Sequence, residues 1–127
     1  MSDDTEFEHI TTEAAVETYK SSAPIFEGLL KEVRELSKKK PEATMSAGKV
    51  KLINRVLTDL LALLKDEPAG KYLDALDEDA LPQMSDAVLA MVQFETALQS
   101  FRARYLKYIY NHHYWITHEQ LAAWNDE

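Results

Sequence analysis

The chain has 127 residues, which is the length of one domain, and its net charge of −8 comes from 14 basic and 22 acidic residues. This charge disfavours sequence-independent binding to DNA, which depends on neutralising phosphates. The absence of cysteine excludes disulfides, thiol catalysis and cysteine-ligated zinc, and three glycines with four prolines are too few for the turns of an all-β fold.

The N-terminal segment, residues 1–11, is acidic and poor in apolar side chains. This composition predicts a disordered tail, and it lacks the basic start and the apolar run of a signal peptide. No stretch of the sequence reaches the roughly 20 apolar residues that a membrane span needs. We therefore expect a soluble cytoplasmic protein without a membrane partner, in which residues 12–127 form a single helical domain.

Apolar residues recur at helical spacing after the tail and predict four to five helices. A short helical run from Thr12 is followed by a break, and Pro24 is typical of the first turn of a second helix, which extends to about Lys39. Ser46 is a suitable N-cap for the next helix, which ends near Asp66.

The C-terminal half contains the longest predicted helix. Residues 69–84 indicate a short helix and an acidic loop, after which Ser85 caps a helix over about residues 86–113. Thr117 and Gln120 form a capping box that opens a short terminal helix. Together the elements predict an all-α fold, a single helical bundle with short connections.

One face of this long helix is an apolar seam whose side chains are spaced three and four residues apart. Its members are Met91, Phe94, Leu98, Phe101, Tyr105, Tyr108 and His112, with Trp115 three residues further on. A polar stripe on the opposite face carries Arg104, Lys107, Asn111 and Tyr114. We interpret the seam as core and the stripe as exposed surface. Trp124, in the terminal helix, either docks on the bundle or is offered to a partner, and docking is the preferred interpretation.

The histidines near the end of the long helix are candidates for metal binding or catalysis. Two ligands on one helix need a spacing of three or four residues, but His112 and His113 are adjacent and diverge by about 100°, so no metal site is predicted. The stretch from Arg104 to Asn111-His112 is similar in kind to the motif of the HEPN nucleases, small helical RNases in which an arginine and a polar residue precede a histidine. That family has a gap of four to six residues, whereas seven residues separate Arg104 from His112.

Glycine-rich phosphate loops and nucleophile elbows are absent from the sequence, so neither an enzymatic activity nor a cofactor is predicted. An acidic helical protein of this kind suggests a protein–protein interaction module, such as a regulator, an inhibitor or a complex subunit, and a homo-oligomer is a further option. The predicted contact residues are Arg104, Lys107, Asn111, Tyr114 and Trp124. The alternative is a nucleic-acid-binding or metal-independent RNase-like domain that uses Arg104 and His112 together with the basic region Lys38–Arg55.

Overall fold

The computed structural model describes residues 7–126, and within them the protein is mostly helical with one small two-stranded sheet. Its elements are α1 (Glu13–Lys39), α2 (Ala47–Leu64), α3 (Met84–Tyr105), β1 (Leu106–Ile109), β2 (His112–Trp115) and α4 (His118–Asn125). The prediction of a mainly helical fold is therefore confirmed, whereas the all-α class omitted the sheet. No helix in the described part of the chain has the length and apolar character needed to cross a membrane.

Helix α1 is continuous over 27 residues, so the break predicted before Pro24 is wrong. The helix begins where the Thr12 side chain accepts a hydrogen bond from the Ala15 N–H at 3.1 Å. Pro24 removes the helical partner of the Lys20 carbonyl, but both residues are exposed and water can satisfy that carbonyl. Burial of Phe26 on the opposite face stabilises the helix across the proline.

The core lies between α1, α2 and α3, with α1 packed against both other helices. Its buried members include Phe26, Leu30 and Val33 of α1, Val50, Ile53, Leu57, Leu60 and Leu64 of α2, and Met91, Phe94, Leu98 and Phe101 of α3. In α2 and α3 these residues have the helical spacing that the sequence predicted, whereas in α1 the structure buries Leu30, and Leu29 and Leu36, which the spacing predicted, are half-buried. Ser46 caps α2 as expected, because its hydroxyl accepts a hydrogen bond from the Lys49 N–H at 3.2 Å.

The connection between α2 and α3 is held against α2 by one buried polar side chain. The short helix predicted here is only a 3₁₀ turn, Gly70–Tyr72, and the chain then runs extended past α2. Asn54 donates to the Leu76 carbonyl at 2.8 Å and accepts from the Leu76 N–H at 2.9 Å. This pair of bonds satisfies a loop backbone that would otherwise be buried without partners.

Helix α3 ends at Tyr105, and the predicted helix over residues 86–113 is therefore too long. The helix also starts earlier than expected, at Met84, so Ser85 is not its cap. Residues 106–115 form an antiparallel hairpin in which Leu106 pairs with Trp115 and Ile109 with His112. Aromatic and β-branched residues dominate this stretch, and they favour strands over helices.

The chain returns from the hairpin into the core before α4 begins. Ile116 is fully buried, and its N–H donates to the Tyr105 carbonyl at 2.8 Å. The Thr117 cap predicted for the last helix is confirmed by its bond from the Gln120 N–H at 2.9 Å. Thr11 pairs with this segment through two backbone hydrogen bonds of 3.0 Å, and the Phe7 ring lies near Trp124, so residues 7–11 lie alongside the C-terminal segment. Residues 1–6 of the predicted tail are outside the described residues.

Candidate interaction surface

The structure distributes the five predicted contact residues over several elements instead of one helical stripe. Arg104 is in the last turn of α3, Lys107 on β1, Asn111 in the hairpin turn, Tyr114 on β2 and Trp124 on α4. Lys107 and Tyr114 are register partners, and the Tyr114 ring lies 5.2 Å from the Trp124 ring. Asn111 is at the far tip and Arg104 is at the root, so the hairpin brings together only part of the predicted set.

Alternation along the strands gives the hairpin two faces. The Tyr108 face consists of Leu106, Tyr108, His113 and Trp115. The Tyr114 face consists of Lys107, Ile109, His112 and Tyr114. The two faces differ in how much of the protein covers them.

The Tyr108 face is buried at its root and open toward its tip. Trp115 packs on Tyr19 and Phe101, with ring centroids 5.2 Å and 6.1 Å apart, and this fixes the hairpin to the core. Tyr108 is 63% exposed, and its ring lies 4.8 Å from the ring of the exposed His113. The seam prediction for Tyr108 is therefore wrong, because the residue lies beyond the end of α3 and outside the core.

The Tyr114 face is covered by the last helix at Tyr114 and is open at His112, which is exposed next to the turn. The Trp124 ring meets the Tyr114 ring edge-on and lies 6.4 Å from the Phe7 ring, so Trp124 is half-buried between them. The Lys107 ammonium donates to the Ala103 carbonyl at 3.1 Å, near the end of α3. These contacts support the hairpin from one side.

The tip of the hairpin is a two-residue turn in which both residues adopt left-handed backbone conformations. Tyr110 has φ 50° and Asn111 has φ 66°, as in a type I′ turn. Asparagine tolerates this conformation, but tyrosine does so at a cost of roughly 1–2 kcal/mol. Tyr110 is also 91% exposed, so its side chain gains no packing in return.

A polar cluster joins the root of the hairpin to the end of α2. The Tyr105 hydroxyl donates to Glu67 Oε2 at 2.8 Å, and Arg104 Nε lies 3.8 Å from Glu67 Oε1. Burial raises the pKa of Tyr105, and the hydrogen bond to the Glu67 carboxylate adds to the increase. Arg104 Nε is buried without a hydrogen-bond partner among the described residues. The cluster therefore orients the root of the hairpin, and it takes Arg104 out of the exposed surface.

The residues of the nuclease-like alternative are not brought together. Arg104 is at the root of the hairpin beside Glu67, whereas His112 is exposed next to the turn at the opposite end of β2. The basic residues from Lys38 to Lys49 are at the junction of α1 and α2, where α3 begins, so the length of α3 separates them from the hairpin. Across residues 7–126 there is no group of three or more His, Asp or Glu side chains placed to hold a metal ion.

A cleft of about 430 Å³ lies between the N-terminal half of α1 and the C-terminal half of α2. It is lined by Ala14, Ala15, Thr18, Ser21, Ser22, Asp59, Ala62 and Leu63. Asp59 is the single titratable side chain among these lining residues.

Sequence reasoning missed Tyr108, Tyr110 and His113 as exposed residues. The signal for a hairpin was present, since residues after Arg104 are rich in aromatic and β-branched types and include Asn111, a residue suited to turns. Known proteins add no further guidance, because no family model, no curated protein and no solved structure matches the chain.

Proposed function

We propose that this protein is a non-enzymatic interaction module, acting as a regulator, an inhibitor or a complex subunit, and that it contacts its partner protein through the tip of the C-terminal hairpin. The main support for this proposal is the exposure of Tyr108 and Tyr110, at 63% and 91%, on a hairpin whose root is fixed in the core. Tyrosine is enriched in protein interfaces and in the residues that contribute most to binding energy, because it combines a large apolar ring with a polar hydroxyl.

The anchoring of the hairpin supports this role. Trp115 and Ile116 hold its root in the core, and Trp124 packs edge-on against Tyr114. A surface that is ordered before binding loses less conformational entropy when a partner arrives, so more of the contact energy contributes to affinity.

The predicted contact residues acquire two different roles in this proposal. Asn111, in the turn beside Tyr110, touches the partner. Lys107 lies at the edge of the contact, because it is on the opposite face from Tyr108 and its ammonium donates to the Ala103 carbonyl. Tyr114 and Trp124 pack on each other behind the strands, and Arg104 pairs with Glu67 at the root, so these three position the hairpin.

The test is quantitative affinity capture from the organism that makes the protein, with the chain as bait. The variant is Tyr108→Ser with Tyr110→Ser, and the matched control is Tyr72→Ser, because Tyr72 is 64% exposed and lies on the 3₁₀ turn away from the hairpin. We expect a partner that the native chain and the control recover equally and that the double variant recovers about tenfold less, a difference of about 1.4 kcal/mol.

Circular dichroism and thermal unfolding of all three chains establish that the fold is retained. If the double variant recovers the same proteins at the same yield as the native chain, the hairpin tip is not the contact surface and the proposal fails.

A further inference from the structure

The hairpin differs in charge from the rest of the chain. The protein has 22 acidic residues, yet none falls between residues 96 and 118, which span the second half of α3 and the whole hairpin. The exposed polar groups of the hairpin and the end of α3 include the Tyr108 and Tyr110 hydroxyls, the His112 and His113 rings, the Asn111 amide and the Arg102 guanidinium; each can donate a hydrogen bond and none is an acid. A complementary partner therefore has to supply acceptors and negative charge.

Arg102 is a free cation beside the Tyr108 face. It is exposed, and within residues 7–126 no carboxylate lies at ion-pair distance from it, while Glu95 of the same helix pairs with Arg34 at 3.1 Å. Arg102 lies in the last turn of α3, and its carbonyl accepts the Leu106 N–H where β1 begins. Its charge opposes the increase in the pKa of Tyr19 that burial causes, and the Glu27 carboxylate adds to that increase. Arg102 therefore adjoins the root of the hairpin, where Trp115 packs on Tyr19.

The hairpin part of this acid-free surface is short, and its length favours a protein over a nucleic acid. Each strand has four residues, which corresponds to about 13 Å at roughly 3.3 Å per residue. At the root of the hairpin acids begin again, where the Glu13 N–H donates to Glu119 Oε1 at 3.0 Å. A nucleic acid bound along the hairpin would run onto these carboxylates, whereas the central contact of a protein interface fits within the hairpin.

Given the proposed function, on which this inference rests, we infer that the partner presents an acidic protein surface to the hairpin. Tyr108, Tyr110 and His113 form the centre of the contact, and Arg102 and Lys107 pair with carboxylates at its two margins. Margin charges mainly accelerate association and exclude wrong partners, so the affinity falls as salt rises.

The test is a selection of random short peptides by display against the intact protein. We expect the selected peptides to be enriched in Asp and Glu, to bind more weakly at high salt, and to bind the Arg102→Gln, Lys107→Gln variant about tenfold more weakly. The matched control is Lys49→Gln with Lys51→Gln, which makes the same change in net charge at exposed positions in the first turns of α2. It should bind as the native chain does.

Each other outcome would contradict the inference of an acidic partner in a different way. If the selected peptides are neutral or basic and do not bind the Tyr108→Ser, Tyr110→Ser variant, the hairpin tip is still the contact surface, but the inference of an acidic partner is wrong. Peptides that bind this variant normally would overturn both proposals. Stronger binding of single-stranded oligouridine than of the acidic peptides would assign a nucleic acid. Self-association detected by light scattering and abolished by the tyrosine changes would assign a second copy of the chain.

Discussion

The apolar spacing of the long helices continues into the C-terminal hairpin, but the residues that have this spacing are buried in the helices and exposed in the hairpin. From Met91 to Phe101 the residues of the seam are buried against α1, as their spacing predicts. The same spacing continues through Tyr108 and His112, yet both are exposed on strands. Periodicity therefore indicates a helix only as far as a neighbouring element is available to bury the apolar face.

The point at which the two regions separate has a physical reason. Helix α2 ends at Leu64 and α1 begins at Glu13, so both neighbours of α3 end near Tyr105. A longer α3 would project an aromatic face into water. By folding back as a hairpin, the chain buries Trp115 partly and Ile116 fully.

We expect the largest loss of stability from a change at Phe101, which contacts both the helical core and the hairpin. Phe101 is 1% exposed and contacts Tyr19, Tyr105 and Trp115, which belong to α1, α3 and the hairpin. We expect Phe101→Ala to lower the free energy of unfolding by about 3–5 kcal/mol, because it creates a cavity at that junction. Urea unfolding followed by circular dichroism measures the loss. A small loss, with the helices intact and only the hairpin disordered, would show that the two regions are energetically independent.

A change in the connection between α2 and α3 comes next. A Cβ added to Gly70 would clash with the Leu64 carbonyl oxygen, which belongs to rigid backbone, so Gly70→Ala should destabilise the protein by about 2 kcal/mol. Gly28→Ala is the matched control, since its Cβ meets nothing within 4 Å and glycine in a helix is about 0.5–1 kcal/mol less favourable than alanine. The two variants should shift the thermal midpoint in opposite directions. A shift in the same direction would contradict the close contact.

These two regions also mark what the sequence could and could not predict. The position of α2, the Ser46 and Thr117 caps and most of the core follow from spacing and capping chemistry, which are local. The continuity of α1 through Pro24 and the start of α3 at Met84 were not predicted. Nor was the end of α3, because it depends on where α1 and α2 end in space. The exposed site was missed for the same reason, since Tyr108 has the spacing of a core residue and the surroundings of a surface one.

A smaller effect is expected at the junction itself. Tyr105→Phe removes the hydroxyl that donates to Glu67, whose side chain is 15% exposed, and should destabilise the protein by about 1.5 kcal/mol. Amide hydrogen exchange should show faster opening of β1 and β2 than of α2. Equal acceleration of exchange in both regions would contradict a role specific to the hairpin root.

The same variant has a predictable pH dependence. The pKa of Tyr105 is raised on folding, so the unfolded chain releases the hydroxyl proton first. The contribution of Tyr105 to the free energy of unfolding is therefore intact below the ordinary pKa of 10.0, and it is lost as the pH rises through the folded pKa. Tyr105→Phe should therefore lose less stability than the native chain between neutral and strongly alkaline pH. Tyr19, whose pKa is also raised, retains part of the alkaline loss and provides an internal comparison.

The smallest expected change in stability concerns the hairpin alone, and it is an increase instead of a loss. Tyr110 adopts φ 50°, a conformation that asparagine tolerates better, so Tyr110→Asn should stabilise the hairpin by roughly 0.5–1 kcal/mol and slow amide exchange in β1 and β2. Tyr108→Asn is the control, because Tyr108 is exposed in an extended strand and its replacement relieves no strain. If Tyr110→Asn stabilises the hairpin and also weakens partner capture, the strained tyrosine is retained for its exposed ring and not for the fold. If stability rises and capture is unchanged, the ring of Tyr110 lies outside the contact, and Tyr108 and His113 form its centre.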